Sequence, residues 1–293
     1  MSRGLVASAI LTVGVVGASE CAAQQISFDR PESWAMKYFA AVSTFTGMER
    51  PIFREPGAVE FGLEADWIPS LSESKRRVGF NGTAVDDLNK VSVFGRPRLS
   101  VGLPGGFTAE VGWVPPLEIH GVKTNLVAAA LERPFFDAGS VSLGWRLYGQ
   151  TGKVKGDFTC WDSVVSQPPG SAGNPLGCNA ISHDEVTLNL VGLALTGGMG
   201  GTGGLGFHYA VGATYNDPRF QVDAVEFNAP DHTRLTTHGW TEWAAVGLGV
   251  PLGGSARLSG EAFYSPLMVK RPPDTSSRND GLFNVRALLR FRL

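Results

Sequence analysis

The chain has 293 residues, with 25 Lys and Arg against 27 Asp and Glu for a net charge of −2, and a mean hydropathy of +0.02. That balance offers no basic surface for nucleic acid, and past the N-terminus no stretch approaches the ~20 apolar residues a membrane helix needs. The 38 glycines and near-neutral hydropathy instead suit an all-β chain whose two faces alternate and average out.

In chain order, Arg3 precedes an apolar run from Leu5 to Gly17 and then small residues at Ala22 and Ala23. This predicts a secretory signal peptide over residues 1–23, cut after Ala23. Cys21 offers a lipid-attachment alternative, but Glu20 before it does not fit the lipidation box. Residues 24–56 lack a two-residue period. Trp34, Met36, Tyr38, Ala40 and Ala41 there suit a short helix ending near Gly47, which could plug the lumen, lie against the periplasmic rim, or belong to a partly ordered leader.

From residue 57 onward the pattern changes. Ten segments alternate apolar and polar residues, as strands with one apolar face do. The first, Val59 to Trp67, sets Val59, Phe61, Leu63, Ala65 and Trp67 against Glu60, Glu64 and Asp66. The second, Phe94 to Leu103, carries Arg96 and Arg98 on its polar face, and the third carries Glu110 between Phe107 and Trp113. Pro97 interrupts the second, which implies a bulge or a later start. The fourth runs from Lys123 to Glu132, where an alanine run leaves the facing open; the fifth, from Val141, carries Arg146. Segments follow at Glu185 to Leu195, Leu205 to Tyr215, Trp240 to Val250, and Arg257 to Ser265 with Glu261 on the polar face. The last, Leu282 to Leu293, sets Phe283, Val285, Ala287, Leu289 and Phe291 against Arg286, Arg290 and Arg292.

The connections sort by length. Pro104 to Gly106, Arg133 to Ser140, Gly197 to Gly204 and Pro251 to Ser255 are short. They alternate with generally longer ones at Pro69 to Val93, Pro115 to Val122, Gly152 to Asp184, Asn216 to Gly239 and Pro266 to Gly281. Short turns at one end, long loops at the other and an even strand number describe a closed up-and-down barrel. Trp67, Trp113, Tyr215, Tyr264 and Phe283 fall near the long-loop ends and Phe107 and Phe291 near the short-turn ends, as two interfacial girdles require.

On these grounds the pattern resembles bacterial outer-membrane β-barrels, over residues 57–293 and without a specific family. The last strand, ending Phe291-Arg292-Leu293, is similar to the closing strand that serves such barrels as an assembly signal, although the class usually ends on phenylalanine. The resemblance implies an outer-membrane location, lipid around the barrel and the outer-membrane barrel assembly machinery as a partner. Export leaves Cys160 and Cys178, for which a disulfide is expected. Closing that loop would contribute roughly 3 kcal/mol by restricting the unfolded chain.

Barrel closure places the first strand between the second and the tenth. Glu60, Glu64 and Asp66 then meet Arg96 and Arg98 on one side and Arg286, Arg290 and Arg292 on the other, with Glu110, Arg146 and Glu261 joining a lumen charge network. Facing lipid, such charges would cost ~2–4 kcal/mol each near the midplane, which turns this face inward. The network either fills the lumen or lines a path for a small charged solute, and small barrels favour filling. The expected role is a non-enzymatic envelope protein: a narrow or gated porin-like pore, or a surface-binding barrel using its long loops. An outer-membrane hydrolase with a site at the extracellular rim is the alternative. Ten-stranded omptin proteases use a pair of aspartates and an Asp/His pair there, and Asp86-Asp87 and Asp231-His232 fall in long loops. Adjacent residues on a regular strand point to opposite faces, so neither dipeptide converges without irregular backbone. No phosphate loop, nucleophile elbow or close Cys–His cluster implies a cofactor or metal.

Overall fold

The computed structural model describes residues 23–200 and 204–293. The predicted signal peptide, Cys21 included, lies outside the described residues except for Ala23. Ten long strands form an antiparallel barrel: β1 (Val59–Trp67), β2 (Val93–Leu103), β3 (Phe107–Val114), β4 (Val122–Asp137), β5 (Val141–Gly156), β6 (Asp184–Met199), β7 (Gly206–Asn216), β8 (Gly239–Gly253), β9 (Ala256–Ser265) and β10 (Leu282–Arg292). Each pairs with the next, and β1 pairs with β10 from Glu60↔Arg292 to Trp67↔Val285, which closes the sheet. Among the described residues no helix is long and apolar enough to cross a membrane.

The two-residue period decides which face is which. On β10, Asn284, Arg286, Leu288 and Arg290 are buried while Phe283 and Val285 are exposed. The same split recurs around the ring, and Leu63, Val111, Val127, Leu193, Val211 and Val246 all point outward. A continuous apolar belt of this extent in water would be an association hazard; against hydrocarbon it is the stable arrangement. Trp67, Trp113, Tyr264 and Phe283 are outward and exposed at the long-loop ends. On β4 the facing is settled: Leu126, Ala128, Ala130 and Glu132 are buried, and the strand continues past Glu132 to Asp137.

Pro97 is neither a bulge nor a strand start. It pairs in register with Leu63 on β1, and β2 begins four residues earlier at Val93. Its effect is on the other edge, where the ladder to β3 begins only at Arg98↔Gly112.

The N-terminal segment enters from the long-loop end. Gln24–Gln25 pair in parallel with Leu235–Thr236 of the loop after β7. Helix α1 (Pro31–Val42) follows, five residues shorter than the expected end at Gly47. Pro31 opens it, where a missing N–H costs nothing. The helix is held from the loops: Trp34 Nε1 donates to Asp280 O at 2.9 Å, and Lys37 Nζ donates to Phe28 O at 2.7 Å and Met268 O at 2.5 Å. Below it the chain descends through the lumen. It leaves at the short-turn end, where Arg50 Nη1 reaches Gly139 O at 2.9 Å and Gly57 N donates to Gly102 O. The loop after β5 is clasped by the Cys160–Cys178 disulfide, beside a small sheet of Cys178–Ala180, Ala224–Glu226 and Ala229–Asp231.

Candidate functional site

The lumen holds the densest chemistry of the molecule. Inward parity brings Glu64 of β1 between two arginines of β2: Arg96 Nε lies at 2.6 Å and Arg98 Nη2 at 2.7 Å. One turn of the network further, Glu110 of β3 accepts from Arg146 of β5 at 2.6 Å and Arg290 of β10 at 2.9 Å, with Arg98 at 3.6 Å. Arg290 also meets Glu60 at 3.3 Å and Glu49 at 3.4 Å. Arg286 lies 3.9 Å from both Asp66 and Glu261. Arg292 stands apart, at the rim, with its side chain 63% exposed and Glu55 at 4.0 Å.

The arginines do more than pair with acids. Arg286 donates to Thr44 O at 2.8 Å and Ala41 O at 3.0 Å, Arg98 to Thr46 O at 2.7 Å, Arg96 to Ser43 O at 3.2 Å and Arg146 to Phe45 O at 3.3 Å. Ser43, Phe45 and Thr46 lie outside helix and sheet, so their buried carbonyls would otherwise lack partners, at a cost of ~1–3 kcal/mol each. The Phe45 ring sits among three guanidinium groups, with Arg98 at 4.4 Å, Arg96 at 4.6 Å and Arg146 at 4.9 Å from its centroid. Each such contact, desolvated, is worth about 2 kcal/mol. Gly112 makes the approach possible: a Cβ there would stand 2.8 Å from Arg96 Cδ and 3.0 Å from the Phe45 ring. Thr46 completes the contact by donating to Glu261 at 2.7 Å.

Several participants carry no strand signal of their own. Phe45, Thr46, Glu49 and Arg54 belong to the threading segment. Arg54 bridges Glu49 at 3.2 Å and Glu60 at 3.0 Å, and Arg257 lies 3.7 Å from Glu49. Glu132, on the strand whose facing was open, meets Arg146 at 3.5 Å. Among the described residues, seven arginines (54, 96, 98, 146, 257, 286, 290) thus face seven carboxylates (49, 60, 64, 66, 110, 132, 261). Equal numbers matter because an uncompensated charge here costs several kcal/mol. Opposite this network the lumen is filled by Tyr148 of β5, which bonds Thr214 of β7 and accepts from Trp243 Nε1 of β8 at 2.7 Å. Gly192 leaves room for that ring, since a Cβ would fall 2.2 Å from it.

The acidic pairs of the loops are placed differently from a convergent rim site. Asp86 is buried, and burial, followed by the carboxylates of Asp184, Glu32 and Glu226, pushes its carboxyl well above the usual range. Asp87 is held by Lys90 at 3.1 Å. His232 turns not to Asp231 but to Asp223, at 2.8 Å, and Arg234 shares the same oxygen at 2.9 Å. Asp231 instead accepts from the Thr233 hydroxyl and amide.

A ring of ten antiparallel strands, apolar outside and charged inside, with its long loops all at one end, defines an integral β-barrel of the bacterial outer membrane. No protein-family model matches the chain, and no curated protein matches it. Solved structures similar in fold include the following. The translocator domain of the autotransporter NalP from Neisseria meningitidis is 10% identical, over 83% of this chain and 91% of that one, with a TM-score of 0.42. The outer membrane protease OmpT from Escherichia coli is 10% identical over 81% and 94%, with a TM-score of 0.37. The toluene transporter TodX of Pseudomonas putida is 12% identical over 86% and 74%, with a TM-score of 0.32.

Proposed function

We propose that this chain is an exported, non-enzymatic envelope protein whose barrel is sealed by its own N-terminal segment and whose working surface is the long-loop face. The observation that carries the reading is the capture of main-chain carbonyls from Ala41 to Thr46 by four lumen arginines from β2, β5 and β10. A water-filled pore would leave those guanidinium groups free to line a path. Here their donors are spent on the plug and on carboxylates. The disulfide-clasped loop and the small sheet beside it supply a surface rigid enough to bind a ligand without first being ordered. Residues 1–23 act in this reading as the export signal, and β10 as the strand presented to the assembly machinery.

Planar-bilayer recording tests the sealed state. The purified protein should show no sustained stepwise conductance, and a chain with Arg96, Arg146 and Arg286 all replaced by Gln should show frequent openings. Steady conductance of the unaltered protein would refute the seal.

A further inference from the structure

The barrel wall is incomplete between β2 and β3 at the long-loop end. The ladder runs from Leu103↔Phe107 to Arg98↔Gly112 and stops. Yet β2 continues to Val93 against β1, and β3 continues to Val114 against β4. Proline explains the stop. Pro97 is the first β2 residue beyond the last pair, and Pro115 and Pro116 follow β3 directly; none has an N–H to donate across the gap. A membrane barrel ordinarily satisfies its backbone strand to strand. Along Val93–Pro97, β2 has no ladder to β3.

Behind this seam lies a cavity of about 230 Å³. Tyr38, Phe39 and Val42 of the plug helix form one side, and Leu126, Val154 and Phe158 the other. Its lining includes outward Val93, 52% exposed, as well as inward Val114, 6% exposed, so the space reaches through the wall. Two of the polar groups that border it, Ser43 and Lys90, are already occupied. Ser43 donates to Phe39 O at 2.9 Å and accepts from Gln150 at 2.7 Å. Lys90 is held by Asp87 and Asp157, each at 3.1 Å, so the mouth has no spare cation for a headgroup phosphate. A dry apolar cavity of ~150 Å³ already takes up benzene; this one is larger, and outward Val93 in its lining pairs with Trp67 at the long-loop girdle.

We infer that the cavity binds an alkyl chain that enters sideways from the bilayer through the β2–β3 seam. The chain is recognised by its hydrocarbon, not by a headgroup, and the site is independent of whether the lumen conducts.

The test uses the full protein in nanodiscs made with a phosphatidylcholine that carries a diazirine near its acyl terminus. After photolysis, mass spectrometry should find label on interior Val42, Leu126 or Phe158. Label confined to outward Val93, Trp113 and Leu117 would overturn the site. Gly95 offers a way to close the seam: its Cβ direction meets only Glu64 O, at 3.6 Å. Gly95→Trp should reduce interior label about tenfold while outward label persists. A parallel arm adds a diazirine-bearing octanoate from the aqueous side. Interior label from octanoate but not from the phospholipid would place the entrance at the loops and overturn lateral entry. Heat-modifiable migration checks that Gly95→Trp folds, and the unaltered protein decides the question by itself if it does not.

Discussion

Single side chains in the lumen are worth what their partners make them worth. Glu64 is shared by Arg96 and Arg98 with side chains wholly buried, so Glu64→Gln leaves two guanidinium groups short of a counter-charge. The expected cost is ~3–5 kcal/mol in denaturant unfolding from lipid vesicles. Arg292→Gln, at the exposed rim, should change stability by less than ~1 kcal/mol in the same assay. If the two variants cost the same, the lumen network is not what holds the barrel. Loop acids behave in the opposite sense. Burial, followed by the carboxylates of Asp231 and Asp184, pushes Glu226 up to about 7 from an ordinary 4.5. The folded state therefore binds the Glu226 proton more tightly than the unfolded chain does. Its stabilising contribution is full below the ordinary value and is lost as pH rises from there through about 7. Amide exchange in Ala224–Glu226 and Ala229–Asp231 should accelerate across that window beyond its intrinsic rise with pH. Glu226→Gln should abolish the excess.

At the level of elements, the plug and the clasped loop are separable. Phe45 carries three guanidinium contacts and lies fully buried, so Phe45→Ala should cost ~3–5 kcal/mol and loosen the segment while leaving the strands paired. Protease cleavage within residues 43–56 of the variant, with an intact heat-modifiable barrel, would show this; resistance equal to the parent would not fit. Reduction of Cys160–Cys178 acts elsewhere. It removes a restraint worth roughly 3 kcal/mol on the loop alone. Proteolysis between residues 161 and 177 should quicken while the folded band on an unheated gel stays unchanged. Loss of that band on reduction would tie the loop to the barrel more closely than its contacts suggest.

For the molecule as a whole, ten strands were readable because each has one lipid face and one lumen face, and a two-residue period records both. Val59 to Trp67 and Leu282 to Leu293 show this most clearly: their parity alone sets acids against arginines, and the pairing of the two strands brings them together. Other features left weaker marks. The alanines of β4 carry little face information, so the sequence leaves the facing of Glu132 open, and the threading segment has neither a strand period nor a long helix. Its Glu49 and Arg54 acquire meaning only once Glu60 and Arg290 surround them, which is a property of the closed ring. Pro97 was visible as an irregularity, but which of its two neighbours it would lose depended on β3 and its following prolines.

A sealed barrel requires that residues 41–48 fill the lumen and keep water out of it. Thr46 is fully buried and bonded to Glu261, so a cysteine placed there reports directly on water in the lumen. Thr46→Cys on a Cys21→Ser background, reconstituted in vesicles, should resist a small charged thiosulfonate added to both sides until the protein is unfolded. Rapid modification in the folded protein would mean an open, hydrated lumen and would contradict the sealed barrel.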